Sequence, residues 1–142
     1  MSHPIQLDEF YFVAPQLLKE EVAALKSKGF ERIINNRPEA ESDDQPLGGS
    51  IRNATEALGM EYINNPIDLA KLSQEQVDLQ GSALAENKKT LAFCRTGTRS
   101  SVLWVLLESG KGGDYNDLMS QVAGKGFDLS RCIVAMKPLL KN

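Results

Sequence analysis

The feature that most constrains the fold is a junction between an apolar strand and an apolar helix, centred on Cys94. Thr90-Leu91-Ala92-Phe93 is a continuous apolar run of strand length, which is typical of a central parallel strand covered on both faces. The helix that follows is predicted from about Ser100. Its residues 102–107 are so apolar that it must be largely buried, and Gly110 ends it. A buried strand leading into a buried helix predicts an α/β domain.

Short β-rich segments alternate with helical periodicity along the rest of the chain. Strands are predicted at residues 10–13, 30–35 and 60–64, and helices at residues 17–28, 50–58, 73–87, 114–123 and 130–140. Ser73 and Gln76 form a capping-box pattern at the start of one helix. We therefore predict one domain over residues 1–142, with a mainly parallel central sheet flanked by helices and with residues 1–8 as a flexible terminus.

Composition restricts the classes of function. The net charge of −3 leaves no basic stripe, so nucleic acid is not an expected partner. The sequence contains neither the apolar region of a signal peptide nor an 18-residue apolar run, so we expect a cytoplasmic protein without a membrane partner. Two cysteines and one histidine cannot supply a structural zinc site, and we expect no metal and no cofactor. His3, near the terminus, is not a credible base for a cysteine.

Residues 94–100 have the composition of an oxyanion-binding loop. The carboxyl end of a parallel strand is where open α/β sheets bind ligands, and the following helix offers free N–H groups and the positive end of its dipole. Gly97 allows a positive φ or a close approach of the backbone, and Arg99 can hold an oxyanion by paired hydrogen bonds. The predicted phosphate-binding residues are Arg95, Thr96, Gly97, Thr98 and Arg99.

The same groups favour the ionised form of the Cys94 thiol, so we predict that Cys94 is nucleophilic at neutral pH. Ser100 is expected to donate a hydrogen bond to the sulfur when it acts as a leaving group. The alternative is an inert buried cysteine, which would need neither the glycine nor two arginines within five positions. Cys132 either resolves an oxidised Cys94 or is a buried helix residue.

Polar residues beyond other predicted strand ends are candidates to complete the site. Asp68 is the first choice for a general acid, and the alternative is a turn residue that bonds to nearby backbone. Arg37 is either an accessory anion contact or the ion-pair partner of the acidic loop after it. The acids of that loop either form a lid over the site or are solvated charges; they are Glu41, Asp43 and Asp44.

The pattern Cys-x-x-Gly-x-Arg-Ser at a strand–helix junction resembles two superfamilies. Cysteine-dependent protein phosphatases usually have five residues between Cys and Arg, and rhodaneses usually have four, as here. Motifs along residues 10–140 resemble the bacterial family named for the phosphatase-like domain of beta-lactamase hydrolase-like proteins, also labelled sulfur transferases. In order, the motifs are Asn36-Arg37-Pro38-Glu39, Gln45-Pro46, Gly59-Met60-Glu61-Tyr62, Asn65-Pro66-Ile67-Asp68, Phe93 to Ser100, Leu103-Trp104 and Gly126-Phe127-Asp128-Leu129.

This resemblance implies a compact dual-specificity-phosphatase-like fold and the hydrolysis of phosphate monoesters through a cysteinyl-phosphate. The substrate would be a phosphorylated small molecule or a phosphoprotein. Phe93 stands where many phosphatases have histidine, and the loop is one residue shorter than usual. One alternative is a rhodanese-like sulfurtransferase that carries a persulfide on Cys94. A second is a phosphate-binding module with little or no turnover.

Overall fold

The computed structural model describes residues 3–140, and this part of the chain forms a five-stranded sheet. The strands are β1 Ile5–Gln6, β2 Tyr11–Ala14, β3 Arg32–Asn35, β4 Glu61–Asn64 and β5 Thr90–Phe93. Their order in the sheet is β1-β2-β5-β3-β4. Strands β2, β5, β3 and β4 run parallel, and β1 lies antiparallel to β2 at the edge. The prediction of a mainly parallel sheet is confirmed.

Helices connect and cover the parallel strands. They are α1 Val22–Ser27, α2 Gly48–Ala57, α3 Gln74–Ala83, α4 Thr98–Gly110, α5 Tyr115–Gly124 and α6 Ile133–Met136. Short 3-10 turns lie at Lys19–Glu21, Leu69–Lys71, Ser130–Cys132 and Lys137–Leu139. The capping box at Ser73 is present, with the Gln76 side chain accepting from the Ser73 N–H at 2.8 Å. Within residues 3–140, no helix combines the length and apolar character needed to cross a bilayer.

The sheet is buried on both faces, as the apolar character of β5 predicts. Leu91 and Phe93 point to one cluster of buried side chains, and Ala92 between them points to the other. Helices α1 and α2 cover the first cluster, while α3, α4 and α5 cover the second. Two buried layers therefore fix the carboxyl end of β5 from both sides.

Residues 5–8 are held against the rest of the domain, whereas the sequence predicted a flexible terminus over residues 1–8. Ile5 pairs with Val13 in the sheet, and Leu7 is buried in the core. The indole N–H of Trp104 donates to Asp8 at 2.8 Å, which ties this segment to α4. The prediction is wrong for residues 5–8, because apolar contacts and a hydrogen bond hold them. Residues 1 and 2 lie outside the described residues.

Two predicted helices are divided in the structure. In the segment 17–28, Leu18 is extended and its N–H donates to the Glu21 side chain at 2.8 Å, so the helical turn begins only afterwards. In the segment 130–140, α6 is a single short helix between two 3-10 turns. Pro138 lies in the last of these turns and has no N–H to continue a helical ladder.

Candidate active site

The loop that joins β5 to α4 is shaped by Gly97. Gly97 has φ +93° and is the residue from which α4 begins at Thr98. A Cβ atom placed on Gly97 would lie 2.9 Å from Cε1 of Phe127. Glycine is therefore required both by the left-handed backbone and by the aromatic ring packed behind the loop.

Cys94 is enclosed by this loop, and its residue surface is 0% exposed. The Gly97 N–H donates to the Cys94 sulfur at 3.1 Å. The Cys94 N–H in turn donates to the carbonyl of Ala14 at 3.4 Å, which anchors the loop to the neighbouring strand. The sulfur thus faces a backbone donor at the start of a buried helix, and such donors stabilise a thiolate.

Arg99, on the first turn of α4, is held by two fixed acceptors. Its Nη1 donates to Glu41 Oε2 at 2.7 Å and to the Ile67 carbonyl at 2.9 Å, and its Nη2 donates to Glu41 Oε1 at 2.8 Å. A guanidinium has five N–H bonds, so these contacts use three of them. The other two, the Nε–H and the second Nη2–H, are adjacent and parallel, and the Cys94 sulfur lies close enough to interact with this guanidinium. An adjacent, parallel pair of this kind, the Arg99 fork, has the geometry to bind two oxygens of one phosphate.

Glu41 joins the two arginines of the site. Its Oε1 accepts from Arg37 Nε at 2.9 Å as well as from Arg99. The hydrogen bond from Arg99, with a smaller contribution from Arg37, holds the pKa of Glu41 below its usual range. The same hydrogen bond raises the pKa of Arg99, and the nearby Cys94 sulfur raises it further. The acidic loop is thus attached to the predicted phosphate-binding residue through one carboxylate.

The structure places Arg37 in the role of ion-pair partner. The side chain is 5% exposed, and each guanidinium nitrogen donates to a protein acceptor. The acceptors are Glu41, the Gln16 side chain at 3.0 Å and the Ser42 hydroxyl at 3.3 Å. Of the two alternatives stated for Arg37, ion pairing with the acidic loop matches this arrangement. Asp43 and Asp44 of the same loop are exposed.

Ser100 differs from its predicted contact. Its hydroxyl donates to Asn36 Oδ1 at 2.9 Å, and both residues are fully buried. A hydroxyl can donate only one hydrogen bond, and in this geometry Asn36 Oδ1 accepts it rather than the Cys94 sulfur. The Ser100 hydroxyl is therefore bonded to Asn36 here, and its donation to the sulfur in the leaving-group step stays a prediction.

Asp68 lies beside Arg99 at the edge of a groove of about 460 Å³, which is also lined by Glu41 and Leu69. The preceding residue, Ile67, supplies the carbonyl that binds Arg99. Asp68 is exposed, and its carboxylate accepts from the Ala70 N–H at 3.0 Å as the cap of a 3-10 turn. The segment after β4 therefore brings the predicted acid next to the predicted phosphate-binding arginine.

The remaining predicted loop residues form the outer rim. The Thr96 and Thr98 hydroxyls are 2.9 Å apart, and the Thr98 N–H donates to Thr96 Oγ1 at 3.4 Å. Arg95 is exposed, while its carbonyl accepts from the Gln16 N–H at 3.2 Å. Cys132 is buried in the larger core cluster, and burial raises the pKa of its thiol.

A buried polar network beneath the loop was missed by the sequence analysis. The side chains of Asn36 and Gln80 each donate one hydrogen bond to the other, and Gln80 also donates to the Tyr11 hydroxyl at 3.0 Å. The Tyr11 hydroxyl donates to the Ser100 carbonyl at 2.7 Å, and burial raises the pKa of Tyr11. The sequence signal for this network was that Asn36 and Gln80 stand at positions where apolar residues would continue the core.

The mainly parallel sheet, with a cysteine loop at the carboxyl end of its central strand, defines a phosphatase-like domain with the fold of dual-specificity and tyrosine phosphatases. Tk-PTP, solved in its active form, has this fold with a TM-score of 0.73 at 17% identity, covering 96% of this chain and 95% of that chain. At this identity the likeness concerns the fold alone.

The chain belongs to the family described as "Beta-lactamase hydrolase-like protein, phosphatase-like domain", whose profile matches residues 6–111. A crystal structure of a candidate phosphatase from Neisseria meningitidis is similar over 95% of this chain and 96% of that chain, with a TM-score of 0.82 and 28% identity. The Beta-lactamase hydrolase-like protein of Agrobacterium fabrum is 29% identical over 127 residues, which are 88% of this chain. The chain spans about 30% of the length of that relative.

Proposed function

We propose that this protein is a metal-free, cysteine-dependent phosphatase that hydrolyses phosphate monoesters through a cysteinyl-phosphate. The observation that carries the proposal is the arrangement of Arg99, which Glu41 and Ile67 hold through three N–H groups while the guanidinium also interacts with the Cys94 sulfur. The Gly97 N–H on the Cys94 sulfur supports the nucleophilic role in the same loop. Membership of a phosphatase-like family agrees with this chemistry.

In the first step, the Cys94 thiolate attacks phosphorus and the bond to the leaving oxygen breaks. Arg99 and the loop amides bind the non-bridging oxygens, on which charge is concentrated during transfer. Asp68 gives its proton to the departing oxygen, a contribution typically worth about 10²–10⁴-fold. In the second step, Asp68 accepts a proton from water as the water attacks phosphorus. The S–P bond then breaks to release orthophosphate and the thiolate.

The substrate class is a phosphorylated small molecule or a phosphoprotein, and the expected setting is the cytoplasm, where thiols stay reduced. Steady turnover of p-nitrophenyl phosphate in the presence of EDTA is the direct test. We expect vanadate to inhibit it and Cys94→Ser to abolish it. Turnover by wild type no higher than that of Cys94→Ser would refute the proposal.

A sulfurtransferase is the second candidate, because four residues separate Cys94 from Arg99. In that reaction the Cys94 thiolate would take a sulfane sulfur from a donor such as thiosulfate, releasing sulfite, and would pass the sulfur to cyanide. Asp68 has no proton to supply in this transfer. Thiosulfate:cyanide activity that survives Asp68→Asn, with a reductant-removable mass of about 32 Da on Cys94, would favour it over the phosphatase.

A third candidate is a binding module that keeps the anion site without turnover. It predicts that phosphate binds equally well to wild type and to Cys94→Ser, and that neither protein releases product. Isothermal titration with inorganic phosphate, run beside the turnover assay, separates this candidate from the first.

A further inference from the structure

Asn36 follows β3 and lies between the candidate phosphate loop and the segment that contains Asp68. It is 0% exposed, and every hydrogen-bonding group it has is used. The backbone N–H donates to the Phe93 carbonyl at 2.8 Å, and the backbone carbonyl accepts from the Ile67 N–H at 2.9 Å.

Asn36 connects the two ends of the loop. Phe93 immediately precedes Cys94, and Ser100 immediately follows Arg99. Asn36 binds the first through its backbone N–H and the second through its side-chain oxygen, at 2.8 Å and 2.9 Å. One residue therefore sets the separation between the start and the end of the loop.

The hydrogen-bond partners of the Asn36 side-chain amide determine its orientation. Nδ2 donates to the Asn65 carbonyl at 2.9 Å and to Gln80 Oε1 at 3.0 Å. Oδ1 accepts from the Ser100 hydroxyl at 2.9 Å and from Gln80 Nε2 at 3.1 Å. A flipped amide would set donor against donor at Gln80 and leave buried groups unpaired, which is costly.

Asn36 is also connected to the acid segment, which consists of Ile67 and Asp68. Ile67, whose N–H binds the Asn36 carbonyl, uses its own carbonyl to bind Arg99 Nη1 at 2.9 Å. Asp68 is the next residue. The loop and the acid segment are thus connected through Asn36, so that a shift of Asn36 would change the distance between nucleophile and acid.

We propose that Asn36 is a positioning residue that sets the geometry of the Cys94 loop and its alignment with the Asp68 segment. The inference rests on the proposed phosphatase function for its kinetic part. Asn36 is fully buried, so it acts on the site through Ser100, Phe93 and Ile67. Misplacement of reacting groups by about 1 Å can cost about 10²-fold in rate, which sets the scale of the expected effect.

The test compares Asn36→Ala with Asn65→Ala. Asn65 is also buried and its side chain donates to the Gln76 carbonyl and to Gln80 Oε1, so its truncation damages the same network without touching the loop. Both variants are measured at a temperature where circular dichroism shows each to be folded. We expect Asn36→Ala to lose about 10- to 100-fold in kcat/KM and Asn65→Ala to stay within about twofold of wild type.

The leaving group supplies a readout that a purely structural role would not change. Phenyl phosphate needs a proton at its leaving oxygen more than p-nitrophenyl phosphate does. If Asn36 aligns loop and acid, Asn36→Ala loses more activity on phenyl phosphate than on p-nitrophenyl phosphate. Adding Ser100→Ala to Asn36→Ala should cost little more than Asn36→Ala alone, because the contact between the two side chains is already removed.

The rate of Cys94 alkylation by iodoacetamide, followed by peptide mass, keeps the inference testable without turnover. A changed rate in Asn36→Ala and an unchanged rate in Asn65→Ala would support the positioning role even if wild type hydrolysed nothing, an outcome that would remove the proposed function alone. Equal losses of activity in the two variants, or equal alkylation rates in all three proteins, would overturn the positioning role.

Discussion

Replacing Glu41 with glutamine removes the charge that fixes Arg99 while keeping the size of the side chain. In the present structure Glu41 accepts two hydrogen bonds from Arg99 and one from Arg37. Glutamine keeps one oxygen for these donors and turns the other position into an NH₂ group that faces another donor. At least one of the three charge-assisted hydrogen bonds is therefore lost, and those that remain become weaker.

A hydrogen bond to a charged group contributes about 1.5–3 kcal/mol, and the Glu41 side chain is 29% exposed, so solvent screening reduces this value. We expect Glu41→Gln to lose about 1–2 kcal/mol of unfolding free energy. If a similar part of this energy orients the Arg99 fork, kcat/KM should fall about 5- to 30-fold. Vanadate binding should weaken by a comparable factor, because it uses the same fork.

The assay is turnover of p-nitrophenyl phosphate with vanadate inhibition, beside urea unfolding. Asp43→Asn is the matched control, since it removes one negative charge from an exposed position two residues along the same loop. Asp43→Asn should leave kcat/KM and vanadate binding within about twofold of wild type if the charge of the loop alone is unimportant. A rise in kcat/KM for Glu41→Gln would refute this reasoning, because Glu41 would then be blocking Arg99 rather than positioning it.

Gly97, Asp68 and the Glu41 ion pair each provide a further test of the site. Gly97→Ala should lose about 1–2 kcal/mol of unfolding free energy and most of the turnover, because the left-handed φ disfavours a side chain and the new methyl group would press on Phe127; normal activity in this variant would contradict the loop geometry. Asp68→Asn should keep its turn cap, since asparagine caps as well as aspartate, so a fall in kcat on phenyl phosphate at unchanged melting temperature would report proton donation. Finally, the pKa of Glu41 is lowered by folding, so its stabilisation is present above the unfolded pKa and is lost as pH falls through the folded one. The difference in unfolding free energy between wild type and Glu41→Gln should therefore be largest near neutral pH and should close in acid; a difference independent of pH would exclude the ion pair as its source.

Sequence reasoning predicted those parts of the fold that depend on local sequence patterns. The apolar strand before Cys94, the glycine within the loop and the buried helix after it are short-range features, and each is present. The position of Asp68 beyond a strand end also placed it near Arg99, because parallel strands end at one edge of the sheet.

The parts that were missed depend on contacts between distant segments. Ser100 donates to Asn36, which is 64 positions away, and no spacing rule links the two residues. The terminal strand is held by pairing with β2 and by a bond from Trp104 to Asp8, neither of which its own composition reveals. The bridge from Glu41 to Arg99 joins positions 58 residues apart, so the sequence showed only an acidic loop of undetermined role.

The aromatic ring packed behind Gly97 extends the candidate active site beyond the region that matches the family profile. Phe127 lies beyond residue 111, where the match to the family profile stops. A fragment cut at that boundary would retain the cysteine, the arginine and the acid, but it would lack the wall against which the loop glycine rests. Fragments of the longer relatives intended for biochemical work should therefore include the segment equivalent to α5 and the turn after it.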